Sequence, residues 1–126
     1  MGSDFAQDYQ SNQDLFRSLA IGCTFNNTSR IDFVQNKFKR VGEPTEAALK
    51  VFAEKICGKP TSSSNAFDFE KEIQKKLDSI AKLDFTSERK SMSTVVTGYK
   101  NGKDLLLKGA PDRIMDKCTS YMGLGG

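Results

Sequence analysis

Lys100-Asn101-Gly102-Lys103 stands between two apolar stretches and constrains the fold more than any other part of the chain. Asn-Gly readily takes the positive φ values that a type I′ turn demands at both central residues, and that turn matches the twist of two antiparallel strands. Residues 93–99 and 104–108 are therefore expected to pair antiparallel. Met92, Thr94 and Val96 alternate on the first arm, and Leu105-Leu106-Leu107 form the second. Leu83, Phe85 and Ser87 continue the alternation upstream.

Before this region the period is helical. A helix is expected from Asn12 or Asp14, with Leu15, Phe16, Leu19, Ala20 and Cys23 on one face, broken by Asn26-Asn27-Thr28-Ser29. Residues 31–34 and 37–41 read as short extended segments around Gln35-Asn36. Glu43-Pro44-Thr45-Glu46 then supplies a proline suited to a first helical turn and acids near the positive end of its dipole. Leu49, Phe52, Ala53 and Ile56 follow at helical spacing, with Gly58 as C-cap. A Ser-rich loop is expected over 59–65 and a second helix over 67–82, with Phe69, Ile73, Leu77 and Ile80 inward. A last helix should open at Pro111, with Ile114, Met115, Cys118 and Met122 on its apolar face. The reading is an α+β domain, a twisted antiparallel sheet flanked by helices. Residues 1–13 are polar and are expected to be a flexible leader, with the domain core over 14–126.

The 126 residues are one domain's worth, and 37% hydrophobic with 28% charged suits a globular domain. No apolar run approaches the roughly 18–20 residues of a membrane helix, and the N-terminus lacks signal-peptide architecture. With no histidine and three separated cysteines, zinc spacing and His-based nucleophile arrangements are absent. A net charge of +3 is too mild to argue for nucleic acid. Phosphate loops of the G-x-x-x-x-G-K-[ST] and G-x-G-x-x-G kinds are also missing. Asp116-Lys117-Cys118-Thr119 superficially resembles a phosphorylated-aspartate motif, but it falls in an expected amphipathic helix.

Three segments carry candidate chemistry, and each also has a purely local explanation. Gly42-Glu43-Pro44-Thr45-Glu46-Ala47-Ala48-Leu49 can be a plain helix start. In Asp84-Phe85-Thr86-Ser87-Glu88-Arg89-Lys90-Ser91-Met92-Ser93, an aromatic is followed five residues later by a lysine. That pair suits base stacking and a phosphate-facing charge, or else a strand residue and an exposed loop charge. Lys108-Gly109-Ala110-Pro111 places a lysine at a strand end beside a glycine that allows close approach. It can equally be a tight strand-to-helix turn.

In order and wording the three segments resemble the nucleotide-binding (N) domain of P-type cation-transporting ATPases. They are similar to that family's GEPTEAAL-type helix start, its F-[TS]-x-x-[RK]-K-x-M-S segment and its KGAPE motif, and the likeness spans about residues 14–122. The wording is most like calcium pumps of the sarco/endoplasmic-reticulum type. The resemblance implies an α+β domain that binds ATP, as Mg-ATP in the parent enzyme, for phosphoryl transfer to an aspartate in a separate P domain. It implies that Phe85 stacks on adenine and Glu46 accepts from the base's amino group. Lys108 would lie deep in the pocket and Lys90 nearer the phosphates, with Gly109 and Ala110 keeping the wall thin.

Two departures stand out: Ser87 falls where reticulum-type pumps often carry an arginine, and Asp112 replaces the glutamate after KGAP. The family's phosphorylation segment DKTGT, its TGD and GDGxxND segments, the later arginine-bearing part of N and the membrane helices are not in this sequence. The expectation is therefore a fragment of a larger pump with no catalytic or metal-binding residue of its own. Its partners would be ATP or ADP and the pump's P and A domains, not nucleic acid or membrane. It would be a monomer at the cytosolic face of the endoplasmic or sarcoplasmic reticulum membrane. The alternatives are the N domain of another cation pump, such as the sodium/potassium type, and a non-nucleotide interaction domain that kept the fold.

Overall fold

A computed structural model describes residues 3–58, 67–100 and 102–123, with side chains described from Gln7 onward. Its main sheet is antiparallel, with β4 (Ser91–Thr97) between β3 (Asp78–Leu83) and β5 (Lys103–Gly109). The register runs from Ser91↔Gly109 to Thr97↔Lys103. The expected hairpin is present, but five residues separate its arms, where a type I′ turn would have two. Gly98 and Gly102 take φ of +86° and +88°, and the Lys100 amide donates to Asp104 Oδ2 at 2.9 Å. At Gly98 a side chain would also collide, since its Cβ would lie 2.5 Å from the Lys76 carbonyl oxygen.

The helices that cover the sheet are α2 (Gln13–Phe25) and α3 (Pro44–Cys57), with the short α4 (Asp68–Gln74) beside them. Ala20, Ile21 and Phe25 of α2 meet Ala53 and Ile56 of α3, Phe69 and Ile73 of α4, Leu77, and Val96 of the central strand. Pro44 opens α3 after Glu43 in extended backbone, since a residue before proline is driven out of the helical region. Gly58 stands at the C-cap as expected, in extended backbone with φ −69° and ψ 149°. What excludes a side chain there is the Glu54 carbonyl oxygen, 2.3 Å from where a Cβ would sit. The Glu54 carboxylate accepts from the Phe69 and Glu70 amides at 3.1 and 2.8 Å, which caps the start of α4 from a distance in sequence.

β1 (Arg30–Val34) and β2 (Lys37–Val41) form a separate two-stranded hairpin with Val34 opposite Lys37. Gln35 and Asn36 take φ of 51° and 60°, so the two-residue primed turn is here.

Several expectations need correction. Within the segment expected to be a flexible leader, α1 (Ser3–Ser11) is helical, and its Tyr9 ring packs 5.6 Å from that of Phe16. The helix expected over 67–82 ends at Gln74, and 78–83 is strand β3. Helix propensity is a weak preference, and pairing both edges of β4 satisfies more buried backbone than a longer helix would. Ile80, expected inward, therefore falls at a register shift in β3 and is 53% exposed. The last helix, α5, stops at Met115, leaving Met115, Cys118 and Met122 on the surface. An amphipathic helix persists only where a partner covers its apolar face. Leu19 and Phe52 are likewise on the surface. The Ser-rich loop over 59–65 lies outside the described residues.

Asn26, 1% exposed, caps the end of α2 and reaches the central strand, donating to the Met92 carbonyl at 3.0 Å and accepting from Thr94 Oγ1 at 3.0 Å. Replacing it by alanine takes that partner from both groups and leaves Thr94 Oγ1 with the more distant Phe25 carbonyl oxygen at 3.5 Å. Asn26→Ala should lower the unfolding free energy by about 1–3 kcal/mol, measured by urea denaturation with an unchanged m value.

Candidate functional site

Glu46 lies in the first turn of α3 and Lys108 near the end of β5, 62 positions apart, and they form an ion pair of 2.7 Å. Thr28 completes the arrangement: its amide donates to Glu46 Oε2 at 3.1 Å and its hydroxyl bonds the same oxygen. Burial alone would raise the Glu46 carboxyl, but the Lys108 and Thr28 hydrogen bonds outweigh it and hold the group below its ordinary value. A carboxylate offers about four lone-pair directions. Three are taken, which leaves room for a further donor.

The second segment is a loop folded on itself. Lys90 N donates to the Thr86 carbonyl at 2.7 Å and Arg89 N to Thr86 Oγ1 at 3.2 Å. Phe85, at the base of this loop, is 59% exposed, and its ring has no aromatic or cationic partner among the described residues. Lys90 is held at φ 51°, in the left-handed region that ordinary residues avoid. The third segment holds it there: Ala110 N donates to the Lys90 carbonyl at 3.0 Å. Gly109 packs flat against the same peptide, where a Cβ would stand 2.4 Å from the Lys90 oxygen and 2.8 Å from Ser91 Cα.

The six predicted residues therefore divide. Glu46 and Lys108 are in contact, and Lys90, Gly109 and Ala110 are joined through one backbone seam next to Lys108. Phe85 is placed on the adjoining loop. A cavity of about 410 Å³, lined by Leu19, Cys23, Leu49, Leu106 and Lys108 among others, opens beside the ion pair. Phe85 and Lys90 do not line it.

Two residues that fix this geometry were missed. Arg89 donates from Nη2 to the Leu83 and Asp84 carbonyls at 2.8 and 3.2 Å and from Nη1 to Ser93 Oγ at 2.7 Å, so it ties down the loop that carries Phe85. Its place one residue before Lys90 was visible, but its inward aim was not. Thr28 was read only as a helix breaker. Among the described residues no cluster of three or more metal-ligating side chains exists, and no helix is long and apolar enough to cross a membrane.

Residues 15–126 match the family described as P-type ATPase, cytoplasmic domain N. The chain is also 38% identical to the endoplasmic reticulum calcium ATPase srcA of Aspergillus fumigatus, in a 99-residue alignment that covers 70% of this chain. It spans only 10% of the length of that relative.

The geometry yields two expectations. Gly109→Ala forces a methyl into the Lys90–Ser91 backbone and should destabilise the fold by about 1–3 kcal/mol, with the largest amide shifts at Lys90 and Ala110. Because the folded Glu46 carboxyl lies below its ordinary value, its contribution to stability is complete above that ordinary value. It is lost as pH falls through the folded one. Urea midpoints followed from about pH 6 to about pH 3, across the carboxylate range, should fall less steeply for Glu46→Gln than for the wild type.

Proposed function

Because the chain belongs to the family of P-type ATPase cytoplasmic N domains, we propose that it binds ATP as the nucleotide-binding part of a reticulum-type calcium-transporting pump. The observation that carries the reading is the Lys108–Glu46 pair locked by Thr28, next to a loop that leaves an aromatic face open to solvent. The donor set suits an adenine nucleotide. Phe85 offers a stacking surface worth ~1–3 kcal/mol per base, and Glu46 keeps one acceptor direction for the exocyclic amine. Lys108 and Lys90 supply positive charge for a polyanion, and Gly109 and Ala110 leave the wall between them without bulk.

In this reading ATP supplies the phosphoryl group, and the chain's own residues bind and orient it toward an aspartate of the pump's P domain. The nucleophile and the Mg²⁺ ligands that transfer requires belong to that domain, so the chain alone binds nucleotide without turning it over. The pump would hold this domain at the cytosolic face of the reticulum membrane, in contact with its P and A domains.

Titrating ATP into the chain should shift the NMR signals of Glu46, Phe85, Lys90 and Lys108 together, with a dissociation constant near 1 mM, about 4 kcal/mol. Phe85→Ala should weaken ATP by ~1–3 kcal/mol and leave the remaining spectrum in place, since the ring supports no core. Silence of all four signals at saturating ATP would instead favour an interaction domain that has kept the fold without the ligand.

A further inference from the structure

The hydrogen bonds on the Glu46 carboxylate are shared unequally between its two oxygens. Oε2 receives both the Thr28 amide, at 3.1 Å, and the Thr28 hydroxyl, whereas Oε1 receives the Lys108 ammonium at 2.7 Å. With about two acceptor directions on each oxygen, Oε2 is full and the open direction belongs to Oε1. Glu46 stands at the third position of α3, where a glutamate commonly turns back to cap the first amide of its own helix. Here its carboxylate goes to other elements, the segment between α2 and β1 and the end of β5.

Thr28 is fixed in place by its neighbours. Asn27 and Ser29 on either side are buried and joined to each other, since Ser29 N and Oγ both donate to Asn27 Oδ1 at 2.8 and 2.6 Å. Asn27 Nδ2 in turn donates to the Glu46 carbonyl at 2.6 Å. One short segment thus holds Glu46 at its backbone and at its carboxylate. Thr28 itself is exposed, so it fills no core, and its amide and hydroxyl serve one oxygen. Without that hold either carboxylate oxygen is free to face Lys108, and no single one stays open.

Resting on the nucleotide reading above, we propose that Thr28 is a positioning residue for base recognition: by closing Oε2 it leaves Oε1, beside the Lys108 ammonium, as the oxygen open to the exocyclic amine of the base. The edge so formed carries an acceptor and a donor side by side, 2.7 Å apart. Adenine carries the complementary pair, an amine donor next to a ring-nitrogen acceptor. Thr28 acts through Glu46, with no contact of its own to the base. Burial would raise the Glu46 carboxyl, and the Thr28 bonds, together with those of Lys108, hold it below its ordinary value. The group therefore stays ionised and accepts only.

The test compares ATP with purine riboside 5′-triphosphate, the same nucleotide with hydrogen in place of the amine, by NMR titration of the full chain. The wild type should bind ATP about tenfold more tightly than the analogue, as a hydrogen bond to a charged group is worth. Thr28→Val keeps the shape and loses the hydroxyl, and should reduce that preference to about twofold with little change for the analogue. Thr28→Ser retains both donors and should keep the wild-type preference. Thr28→Ala should behave as Thr28→Val, and serves in its place if the valine disturbs the segment. The Glu46 carboxyl should also titrate at higher pH in Thr28→Val than in the wild type or Thr28→Ser. A threonine that only supported the fold would, when replaced, weaken both nucleotides alike and leave their ratio unchanged. An unchanged ratio in Thr28→Val, or a wild type that binds both nucleotides equally, would overturn the role of Thr28 with ATP binding intact. A wild type that binds neither would overturn the nucleotide reading itself, and this inference with it.

Discussion

The side chain of Asn27 ties together at one point the helices and the sheet that also meet in the apolar core. Its amide nitrogen donates to the Cys23 carbonyl at the end of α2 and to the Glu46 carbonyl in the first turn of α3, at 2.9 and 2.6 Å. Its oxygen accepts from the Ser29 amide and hydroxyl at 2.8 and 2.6 Å. Both donors and the acceptor are used in a buried position, where an incomplete set would be costly. The Asn27 carbonyl then receives Lys82 of β3. Helix, helix and sheet therefore share one fixed point, and the residue beside it, Thr28, orients the Glu46 carboxylate.

This explains why the candidate site is built from segments far apart in sequence yet held closely. Asn27 fixes the backbone of Glu46, Thr28 fixes its carboxylate, and the register of β5 against β4 brings Lys108 to meet it. The same register presses Gly109 onto Lys90 and holds that residue in a backbone region that costs energy. Only the Phe85 side of the site is left loosely covered, and there Arg89 substitutes hydrogen bonds for packing. Phe85 itself stays on the surface there.

Much of the local structure was legible because it depends on neighbours in sequence. Gln35-Asn36 reads as a polar turn between two short extended segments, and Pro44 as a helix start. Both follow from backbone sterics that no tertiary contact has to supply. The errors fall where distant contacts decide. Residues 78–83 carry a helical pattern continuous with Phe69 and Ile73, but β4 needs a second edge partner and takes them as a strand. The apolar spacing of Ile114, Met115, Cys118 and Met122 promises a longer helix than the structure contains, because α5 has little to pack against.

By itself the sequence determined the α+β class, the hairpin of residues 93–99 with 104–108, the extended segments on either side of Gln35-Asn36, the start of α3 and the three segments whose wording marks the N-domain family. These rest on short-range sterics, periodicity and residue identity, which a linear chain carries in full. Tertiary structure alone decided that Asn27 would become the junction, that Glu46 and Lys108 would meet, and that Thr28 would hold the Glu46 carboxylate. Each of those outcomes requires groups from different elements to arrive within hydrogen-bond reach. Which groups converge is set by strand register and helix packing, and no spacing along the chain encodes that directly.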